Sequence, residues 1–171
     1  MAHYLVMGAG KMGVVLAKDL IESDPECRVT LVDIDFERLG RSAEFIGSDR
    51  VVPLQRDVED ENQRMEVMEG KDVALCALLH AQSLISLDAA VANGVHYIDL
   101  VGEAPLERMK YDSRAKEKGI AVISGLGVSP GITNICVGRA VHLLDKAEKA
   151  IVGVGGVPVE AGPPLNYRIV Y

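Results

Sequence analysis

The sequence contains no tryptophan and only three cysteines, Cys27, Cys76 and Cys136, in 171 residues. The cysteines are far apart and form no CxxC pair, and the four histidines do not cluster. The small number of cysteines and the scattered histidines argue against a disulfide framework and against a metal site, and they favour a reducing, cytoplasmic compartment. A basic, cleavable leader is absent before the first apolar segment, so the sequence predicts no targeting signal.

Long apolar runs and an excess of positive charge are also missing. No run reaches the roughly 18 apolar residues that a membrane-spanning helix needs, so no membrane association is expected. Lys and Arg number 18 and Asp and Glu number 25, which gives a formal net charge of −7. Nucleic acid is therefore not an expected partner, because binding to a phosphate backbone needs a basic surface.

The hydrophobic residues, 49% of the chain, fall in short segments that alternate with segments of helical periodicity. This alternation is typical of crossover units on a parallel sheet that is buried on both faces. It predicts an α/β protein with a doubly wound parallel sheet, the Rossmann fold, in the strand order 3-2-1-4-5-6. The predicted strands are residues 4–7, 28–32, 51–55, 73–78, 95–100 and 120–124.

The composition changes after a predicted helix at residues 132–144. Residues 150–154 and 167–171 have strand character and flank a loop rich in glycine and proline. A two-stranded hairpin is only marginally stable alone. We therefore expect residues 1–146 to form a dinucleotide-binding domain and residues 147–171 to begin a second, α+β domain that continues past residue 171. That second domain is expected to complete the substrate site and to mediate homo-oligomer formation.

A glycine-rich segment with the spacing GxGxxG follows the first predicted strand and opens the first helix. It comprises Gly8, Ala9, Gly10, Lys11, Met12 and Gly13. Gly8 allows a tight turn, Gly10 leaves room for a pyrophosphate against the backbone, and Gly13 lets the helix approach the sheet. Because the N-terminus of a helix attracts phosphate charge, this segment predicts a dinucleotide site. A tight turn without a ligand is the alternative.

Asp33 ends the second predicted strand, 20 residues after Gly13. In dinucleotide-binding sheets, an acidic residue at this spacing accepts hydrogen bonds from the adenosine ribose hydroxyls. At about 4 Å and an effective dielectric constant of about 20, its charge repels a 2′-phosphate by about 4 kcal/mol, so NAD is expected rather than NADP. Arg38 could cover a 2′-phosphate, but its position within the next helix favours a solvated face.

Further candidates lie at the ends of the third and fourth strands. Asp57 and Val58 are expected beside the adenine ring, and Asp57 is an equally good candidate for the N-cap of the next helix. Leu78 and Leu79 are expected to contact the cofactor at the carboxyl edge of the sheet, where such folds bind ligands. For His80, a half-exposed loop position is favoured over a place in the nicotinamide pocket.

Two carboxylates, Asp99 and Glu103, stand at the end of the fifth strand, with Gly102 beside them. Both approach the carboxyl edge, where they could orient an amine or act as a base. A structural hydrogen-bonding role is the favoured interpretation of Asp99. Glu103 is either the catalytic base or a charge that stabilises the start of the following helix. Gly102 is expected at the nicotinamide end of the cofactor.

The loop at residues 127–134, with the sequence GVSPGITN, brings a second helix N-terminus to the same edge. Its free N–H groups suit a carboxylate or an amide. Pro130 fixes its own φ and Gly131 permits close approach of the backbone, so the loop is expected to touch its ligands directly. We expect Pro130 to contact the cofactor, and Ser129, Gly131 and Asn134 to contact the substrate. An ordinary strand-to-helix connection is the alternative.

Four segments together resemble the saccharopine dehydrogenase family over essentially the whole chain. They are GAGKMG at 8–13, YIDLVGE at 97–103, GVSPGITN at 127–134 and VGGVP at 154–158. The stretch GPPLNY at 162–167 is most similar to the L-lysine 6-dehydrogenase branch. This resemblance implies NAD-dependent oxidative deamination of the ε-amine of L-lysine to the semialdehyde, with Tyr167 in the substrate site. The alternatives are a saccharopine or carboxynorspermidine-type reductase and a non-catalytic NAD-binding regulatory module.

Overall fold

A computed structural model describes residues 1–155 and residue 162 of the chain. At its centre is a six-stranded parallel sheet in the order β3-β2-β1-β4-β5-β6, which confirms the predicted doubly wound topology. The strands are β1 His3–Met7, β2 Arg28–Asp33, β3 Val51–Gln55, β4 Val73–Cys76, β5 His96–Asp99 and β6 Val122–Ile123. Met7 at the end of β1 pairs with Val32 on one side and with Cys76 on the other, so the carboxyl ends of the three central strands lie side by side.

Helices connect the strands and cover both faces of the sheet. Within the described residues they are α1 Lys11–Ser23, α2 Phe36–Ile46, α3 Glu61–Met68, α4 His80–Asn93, α5 Pro105–Met109, α6 Asp112–Lys118 and α7 Ile132–His142. The side chain of Asp35 caps the start of α2 by accepting from the N–H of Arg38 at 3.0 Å. Gly94 and Gly119 end α4 and α6 with φ of +70° and +67°, a conformation in which glycine avoids the strain of a side chain.

Alternating side chains of β1 divide the core into two clusters. Leu5 and Met7 are fully buried in one cluster, together with Leu87 of α4 and Tyr97 of β5. Val6 is fully buried in the other cluster, among residues of α1, α2 and β2. Since successive strand residues point to opposite faces, the sheet has a packed layer on each side. None of the helices between residues 1 and 155 is long and apolar enough to cross a membrane.

The last three strands are shorter at their carboxyl ends than predicted. β4 ends at Cys76 because Leu79 already serves as the N-cap of α4. β5 ends at Asp99, whose side chain accepts from the N–H of Val101 at 3.2 Å and turns the chain. β6 has only two residues and ends at Ile123. The loop that follows contains Gly125, with a φ of +73°.

The predicted strand at residues 150–154 is wrong. These residues have no regular secondary structure, since none of the six described strands lies alongside to exchange hydrogen bonds with them. The predicted strand at residues 167–171 lies outside the described residues. The division at residue 146 and the second domain therefore stay predictions. Helix α7 ends at His142, two residues before the predicted end, and buries none of its side chains among the described residues.

Candidate functional site

The glycine-rich segment forms a tight turn between β1 and α1. Gly8 has a φ of +97°, which L side chains rarely adopt, and its N–H donates to the carbonyl of Val32 at 2.8 Å. A Cβ on Gly13 would lie 1.7 Å from the carbonyl oxygen of Gly8. Both glycines are therefore required by the packing of the helix against the sheet, whatever the turn binds.

Gly10 has a different environment. It is the N-cap of α1, with an ordinary φ of −73°, and no side chain caps the helix. Apart from its two neighbours in the chain and the backbone of its own helix, no residue has a heavy atom within 4 Å of the position that a Cβ would take. The space beside Gly10 is thus open at the N-terminus of a helix of 13 residues. This is the arrangement in which backbone N–H groups can receive a phosphate group.

The other residues of the turn contribute differently. Ala9 is only 2% exposed, and its backbone N–H is used inside the protein. Lys11 and Met12 lie on the exposed first turn of α1. None of these three side chains lines the cavity beside the turn.

A cavity of about 450 Å³ opens beside the turn at the carboxyl ends of β1, β2 and β4. Its volume is typical of small-molecule sites. Many of the residues predicted to contact the cofactor line it, namely Gly8, Gly10, Asp33, Asp57, Val58, Leu78 and Leu79. The cavity is also lined by three residues that were not predicted, Arg56, Glu59 and Gln82. They are single polar residues without a characteristic spacing, so no sequence signal identified them.

Asp33 lies at the centre of a polar cluster in this cavity. Its side chain is 6% exposed. Oδ2 accepts from the N–H of Ala9 at 2.7 Å, and Oδ1 accepts from the N–H of Asp35 at 2.9 Å. Arg38 Nη1 lies 3.3 Å from both carboxylate oxygens. Arg38 is exposed, as the predicted solvated face of the helix requires, with 46% of its side chain accessible. Because α2 starts at Phe36, its first turn also brings the guanidinium back to Asp33, a pairing that the sequence did not predict.

The two residues expected beside the adenine ring have separate local roles. Val58 is 9% exposed and lines the cavity. Asp57 also lines it and accepts from the N–H of Glu59 at 2.8 Å. The sequence allowed Asp57 as the N-cap of α3, but Asp57 does not have this role in the structure. The helix begins later, and its N-cap is Asp60, which accepts from the N–H of Gln63 at 2.9 Å.

The loops after β5 and β6 meet at Gly102 and Pro130. A Cβ on Gly102 would lie 2.2 Å from Cγ of Pro130, and a Cβ on Gly125 would lie 3.3 Å from Cα of Gly102. All three residues border a second cavity of about 520 Å³. The structure thus brings Gly102 and Pro130 together as expected, but neither borders the cavity that contains Asp33.

Glu103 lies beside His80 at the edge of the sheet. Glu103 Oε2 is 3.7 Å from His80 Nδ1, and the side chains are 74% and 34% exposed. His80 is the first residue of α4 and not a loop residue, although it is partly exposed as predicted. A carboxylate beside an imidazole can hold or pass on a proton.

The loop at residues 127–134 is organised as a helix start. A Cβ on Gly131, which has a φ of +132°, would lie 1.9 Å from the carbonyl oxygen of Gly127. The side chain of Asn134 accepts from the N–H of Gly131 at 3.0 Å. Thr133 Oγ1 donates to Ser129 Oγ at 3.2 Å. These internal contacts explain how the loop connects β6 to α7 without a ligand. The substrate contacts of Ser129, Gly131 and Asn134 stay predictions. Tyr167 lies outside the described residues.

Asp99 is fully buried, which agrees with the structural role favoured from the sequence. Its carboxylate pairs with Arg108, accepts from Ser83 Oγ at 2.5 Å, and accepts from the N–H of Gly125 at 3.2 Å. Arg108 also donates through Nε to the carbonyl of Glu103 at 3.0 Å. Arg108 was not predicted as a buried residue, because a single arginine in a short helix gives no sign that it points inward.

The turn and the first cavity fit a dinucleotide. Gly8 and Gly13 are explained by internal packing, whereas Gly10 leaves an open cradle at a helix N-terminus that a Cβ would enter. The buried carboxylate of Asp33 borders the adjoining cavity. Pyrophosphate and ribose are the groups that such backbone donors and such a carboxylate recognise.

Comparison with known proteins identifies the family. Residues 4–123, from β1 to β6, match the family model described as the saccharopine dehydrogenase NADP binding domain. A curated relative, carboxyaminopropylagmatine dehydrogenase from Synechocystis sp., is 25% identical over 162 residues. The alignment covers 85% of this chain and 41% of the relative, so the chain spans less than half of that protein's length.

Two solved structures share the fold. The first is saccharopine dehydrogenase (L-Glu forming) from Saccharomyces cerevisiae, with a TM-score of 0.73 and 17% identity, covering 84% of this chain and 31% of that one. The second is biliverdin reductase from Synechocystis sp., in complex with biliverdin and NADP+, with a TM-score of 0.58 and 16% identity. The second alignment covers 72% of this chain and 37% of the reductase. The family model extends over most of the chain, and the chain therefore belongs to the saccharopine dehydrogenase family.

Proposed function

We propose that the chain is the nucleotide-binding part of an oxidoreductase that uses a nicotinamide dinucleotide to act on a C–N bond of an amino acid. The observation that carries this proposal is the open turn at Gly10. Packing accounts for Gly8 and Gly13 but not for the open side of Gly10, which lies beside the cavity that contains Asp33. Membership of the saccharopine dehydrogenase family supports the reaction class.

The residues of the first cavity hold the cofactor in this proposal. The backbone at Gly10 and the N-terminus of α1 receive the pyrophosphate, since their N–H groups and the helix dipole favour negative charge. Asp33 accepts from the adenosine ribose, and Val58 and Leu78 supply apolar surface for the adenine. Because Asp33 carries a negative charge where a 2′-phosphate would lie, NAD is the proposed cofactor.

The loops after β4, β5 and β6 form the reacting end in this proposal. When bound, the nicotinamide ring supplies the acceptor or donor of hydride. Glu103 takes a proton from the substrate amine, because an amine must be neutral before its carbon can lose hydride. His80, at 3.7 Å from Glu103, can share that proton. Gly102 and Pro130 fix the two loops against each other.

We propose L-lysine as the substrate, oxidised at its ε-carbon to an imine that water converts to the semialdehyde and ammonia. The support is the stretch GPPLNY at 162–167, which resembles the lysine 6-dehydrogenase branch. The alternative is reductive formation of a C–N bond by a saccharopine or carboxynorspermidine-type reductase. It is favoured by the two dehydrogenase relatives, named for saccharopine and carboxyaminopropylagmatine. We further propose a cytoplasmic homo-oligomer that assembles through residues after 146.

The proposal is tested with the protein expressed from its complete gene. NADH formation is measured with L-lysine and NAD, and NADH consumption is measured with amino acids plus aldehydes. Glu103→Gln should lower kcat by about 100-fold or more, the usual range for loss of a general base, while the Kd for NADH changes by less than about twofold. Glu107→Gln, an exposed carboxylate on α5, is the matched control and should leave both quantities unchanged.

Each outcome discriminates among the candidates. Consumption of NADH without oxidation of lysine selects the reductive alternative. Binding of dinucleotide without turnover in either direction selects the regulatory module and contradicts the proposed activity. Residues 1–171 alone should bind the dinucleotide without turnover, because substrate pockets of such enzymes lie between two domains. Turnover of L-lysine by this chain alone would contradict the role assigned to a second domain.

A further inference from the structure

The chain makes a strained turn between Glu103, the proton acceptor of the proposed function, and the start of α5. Ala104 lies at this turn with a φ of +48° and a ψ of +55°, and it is the N-cap of α5. It is the one residue other than glycine that has a positive φ in the part of the chain that the structure describes. Because a Cβ crowds the backbone in this left-handed conformation, the turn needs bonds that hold it.

Arg108 supplies a side-chain bond that holds this turn. Its Nε donates to the carbonyl of Glu103 at 3.0 Å. The backbone N–H groups of Glu107 and Arg108 donate to the carbonyl of Ala104 at 3.1 and 3.3 Å. Arg108 is buried and is anchored by the buried carboxylate of Asp99. The carbonyls of Glu103 and Ala104 are therefore both bound, the first of them by a guanidinium that is fixed in the core.

His80, the neighbour of Glu103, is held through the same guanidinium. Ser83 is fully buried and lies about one turn after His80 in α4. Ser83 Oγ accepts from Arg108 Nη2 at 3.1 Å and donates to the carboxylate of Asp99 at 2.5 Å. Arg108 thus bonds both of the segments that carry the Glu103–His80 pair.

The side chains of this pair are held only loosely by their own contacts. Oε2 of Glu103 is 3.7 Å from Nδ1 of His80, which is too long for a hydrogen bond, and the side chain of Glu103 is largely exposed. Nδ1 of His80 is buried and has no hydrogen-bond partner among the described residues. Hydrogen bonds of catalytic groups often tighten only when the ligand binds, and a misplacement of about 1 Å can cost about 100-fold in rate. The backbone position of Glu103 therefore decides how well the pair can act.

We propose that Arg108 is a positioning residue, which holds the turn at Ala104 so that Glu103 lies beside His80 before the substrate binds. This role rests on the proposed function of Glu103 as the proton acceptor. The planar guanidinium donates to four groups at once, which belong to Asp99, Ser83, Ser124 and Glu103. A lysine has its donors on a single atom and cannot reach all four groups. Arg108→Lys therefore keeps a counter-charge for Asp99 but loses the bond to the carbonyl of Glu103.

The test measures turnover of the protein expressed from its complete gene, well below the melting temperature of each variant. Arg108→Lys should lower kcat by about tenfold or more, because Glu103 is displaced from its place beside His80. The Kd for NADH, measured by nicotinamide fluorescence, should change by less than about twofold, since Arg108 does not border the first cavity. Arg114→Lys is the matched control, because Arg114 pairs with Asp88 on the surface, and it should change neither quantity.

A second variant reaches the same turn without touching the buried pair. Ala104→Val places a branched side chain where a left-handed conformation is required, so the turn should open and kcat should fall. The loss should exceed that in Ala104→Gly, because glycine adopts this conformation without strain. This comparison decides the matter if Arg108→Lys does not fold, and an equal kcat in the two Ala104 variants would then overturn the role of the turn.

Combination with Glu103→Gln separates positioning from a general structural role. If Arg108 acts through Glu103, Arg108→Lys should change kcat by less than about twofold in the Glu103→Gln background, although it costs about tenfold in the wild type. The same factor in both backgrounds, or an unchanged kcat in Arg108→Lys alone, overturns the inference and leaves the proposed function standing. If the wild type turns over no substrate, or if Glu103→Gln leaves kcat unchanged, the proposed function fails and this role fails with it.

Discussion

Arg108 and Asp99 form a buried ion pair at the carboxyl end of β5, with side chains 6% and 0% exposed. The pair does not stand alone. Arg108 also donates to Ser83 Oγ at 3.1 Å and to Ser124 Oγ at 3.2 Å, which joins α4 and the residue after β6 to the same point. Because Arg108 also holds the carbonyl of Glu103, this network fixes the two loops that meet at the reacting edge of the proposed site.

Arg108→Ala should destabilise the chain strongly. The substitution leaves the carboxylate of Asp99 buried without its counter-charge, which costs about 3–5 kcal/mol in the free energy of unfolding. Arg114→Ala is the matched control, because its pair with Asp88 is about half exposed and of the kind that contributes about 0.2–1 kcal/mol. Urea unfolding of the two variants measures the difference. Equal losses of unfolding free energy in the two variants would show that the buried pair stabilises the chain no more than the exposed pair.

Alkaline pH should destabilise the chain through Cys76 and Tyr97. Burial raises the pKa of the Cys76 thiol above its ordinary value of 9.0 and the pKa of the Tyr97 phenol well above its ordinary value of 10.0. The folded chain therefore keeps protons that the unfolded chain releases. The stabilisation is complete below about pH 9 and is lost as the pH rises above it, by up to about 1.4 kcal/mol per pH unit for each proton.

Urea unfolding between about pH 8 and pH 10.5 checks this slope, since it spans the ordinary pKa of both groups. Cys76→Ala should reduce the slope, although the cavity that it creates lowers stability at every pH. Cys136→Ala removes an exposed thiol and should leave the slope as in the wild type. A stability that is flat or rises over this range would contradict the assignment.

The sequence predicted the sheet well because its signals are local and repeated. Short apolar segments alternating with helical periodicity specify crossover units, and these permit few strand orders. The glycine spacing and Asp33 were found for the same reason, since each role is tied to a fixed distance along the chain. The pairing of Arg38 with Asp33 and the buried position of Arg108 were not predicted. Whether a long cationic side chain turns inward depends on a partner that the fold brings close, and no periodicity records that contact.

Boundaries were predicted less well than elements. The N-cap of α3 is Asp60 and not Asp57, although both carboxylates precede the helix by a few residues. Either side chain can bond a backbone N–H in a turn, so the choice depends on where the chain leaves the sheet. The predicted strand at 150–154 failed for another reason. A strand exists only when a neighbour pairs with it, and the apolar pattern alone does not supply that neighbour.

Gly131→Val should disrupt the loop at 127–134 without unfolding the chain. Gly131 has a φ of +132°, and any Cβ there would meet the backbone of Gly127, so the loop must change shape. The core is spared, because α7 buries no side chain among the described residues. In the protein expressed from its complete gene, kcat should fall by far more than the melting temperature.

Gly138→Ala is the control for that variant, because Gly138 lies within α7 and no heavy atom outside the backbone of its own helix lies within 4 Å of its Cβ position. Alanine favours a helix over glycine by about 1 kcal/mol, so this change should leave kcat as it is and slightly raise stability. Equal proportional losses of turnover and melting temperature in Gly131→Val would show that the loop serves only to connect β6 and α7.

Gly10→Ala and Gly13→Ala should separate ligand binding from packing within one turn. At Gly10, φ is −73° and the Cβ position is free of protein atoms, so Gly10→Ala should fold with nearly unchanged stability. Its methyl group enters the space assigned to the pyrophosphate, and NADH binding should weaken by about tenfold or more, equivalent to about 1.4 kcal/mol. At Gly13, a Cβ would lie 1.7 Å from the carbonyl oxygen of Gly8, so Gly13→Ala must push α1 away from the sheet and lower the melting temperature sharply.

Gly40→Ala is the control for both variants. Gly40 lies on α2 with open space at its Cβ position, so the change should weaken neither NADH binding nor folding. Thermal melts and fluorescence titrations of the three variants give the comparison. If Gly10→Ala binds NADH as tightly as the wild type, the open side of this turn is not where the dinucleotide lies.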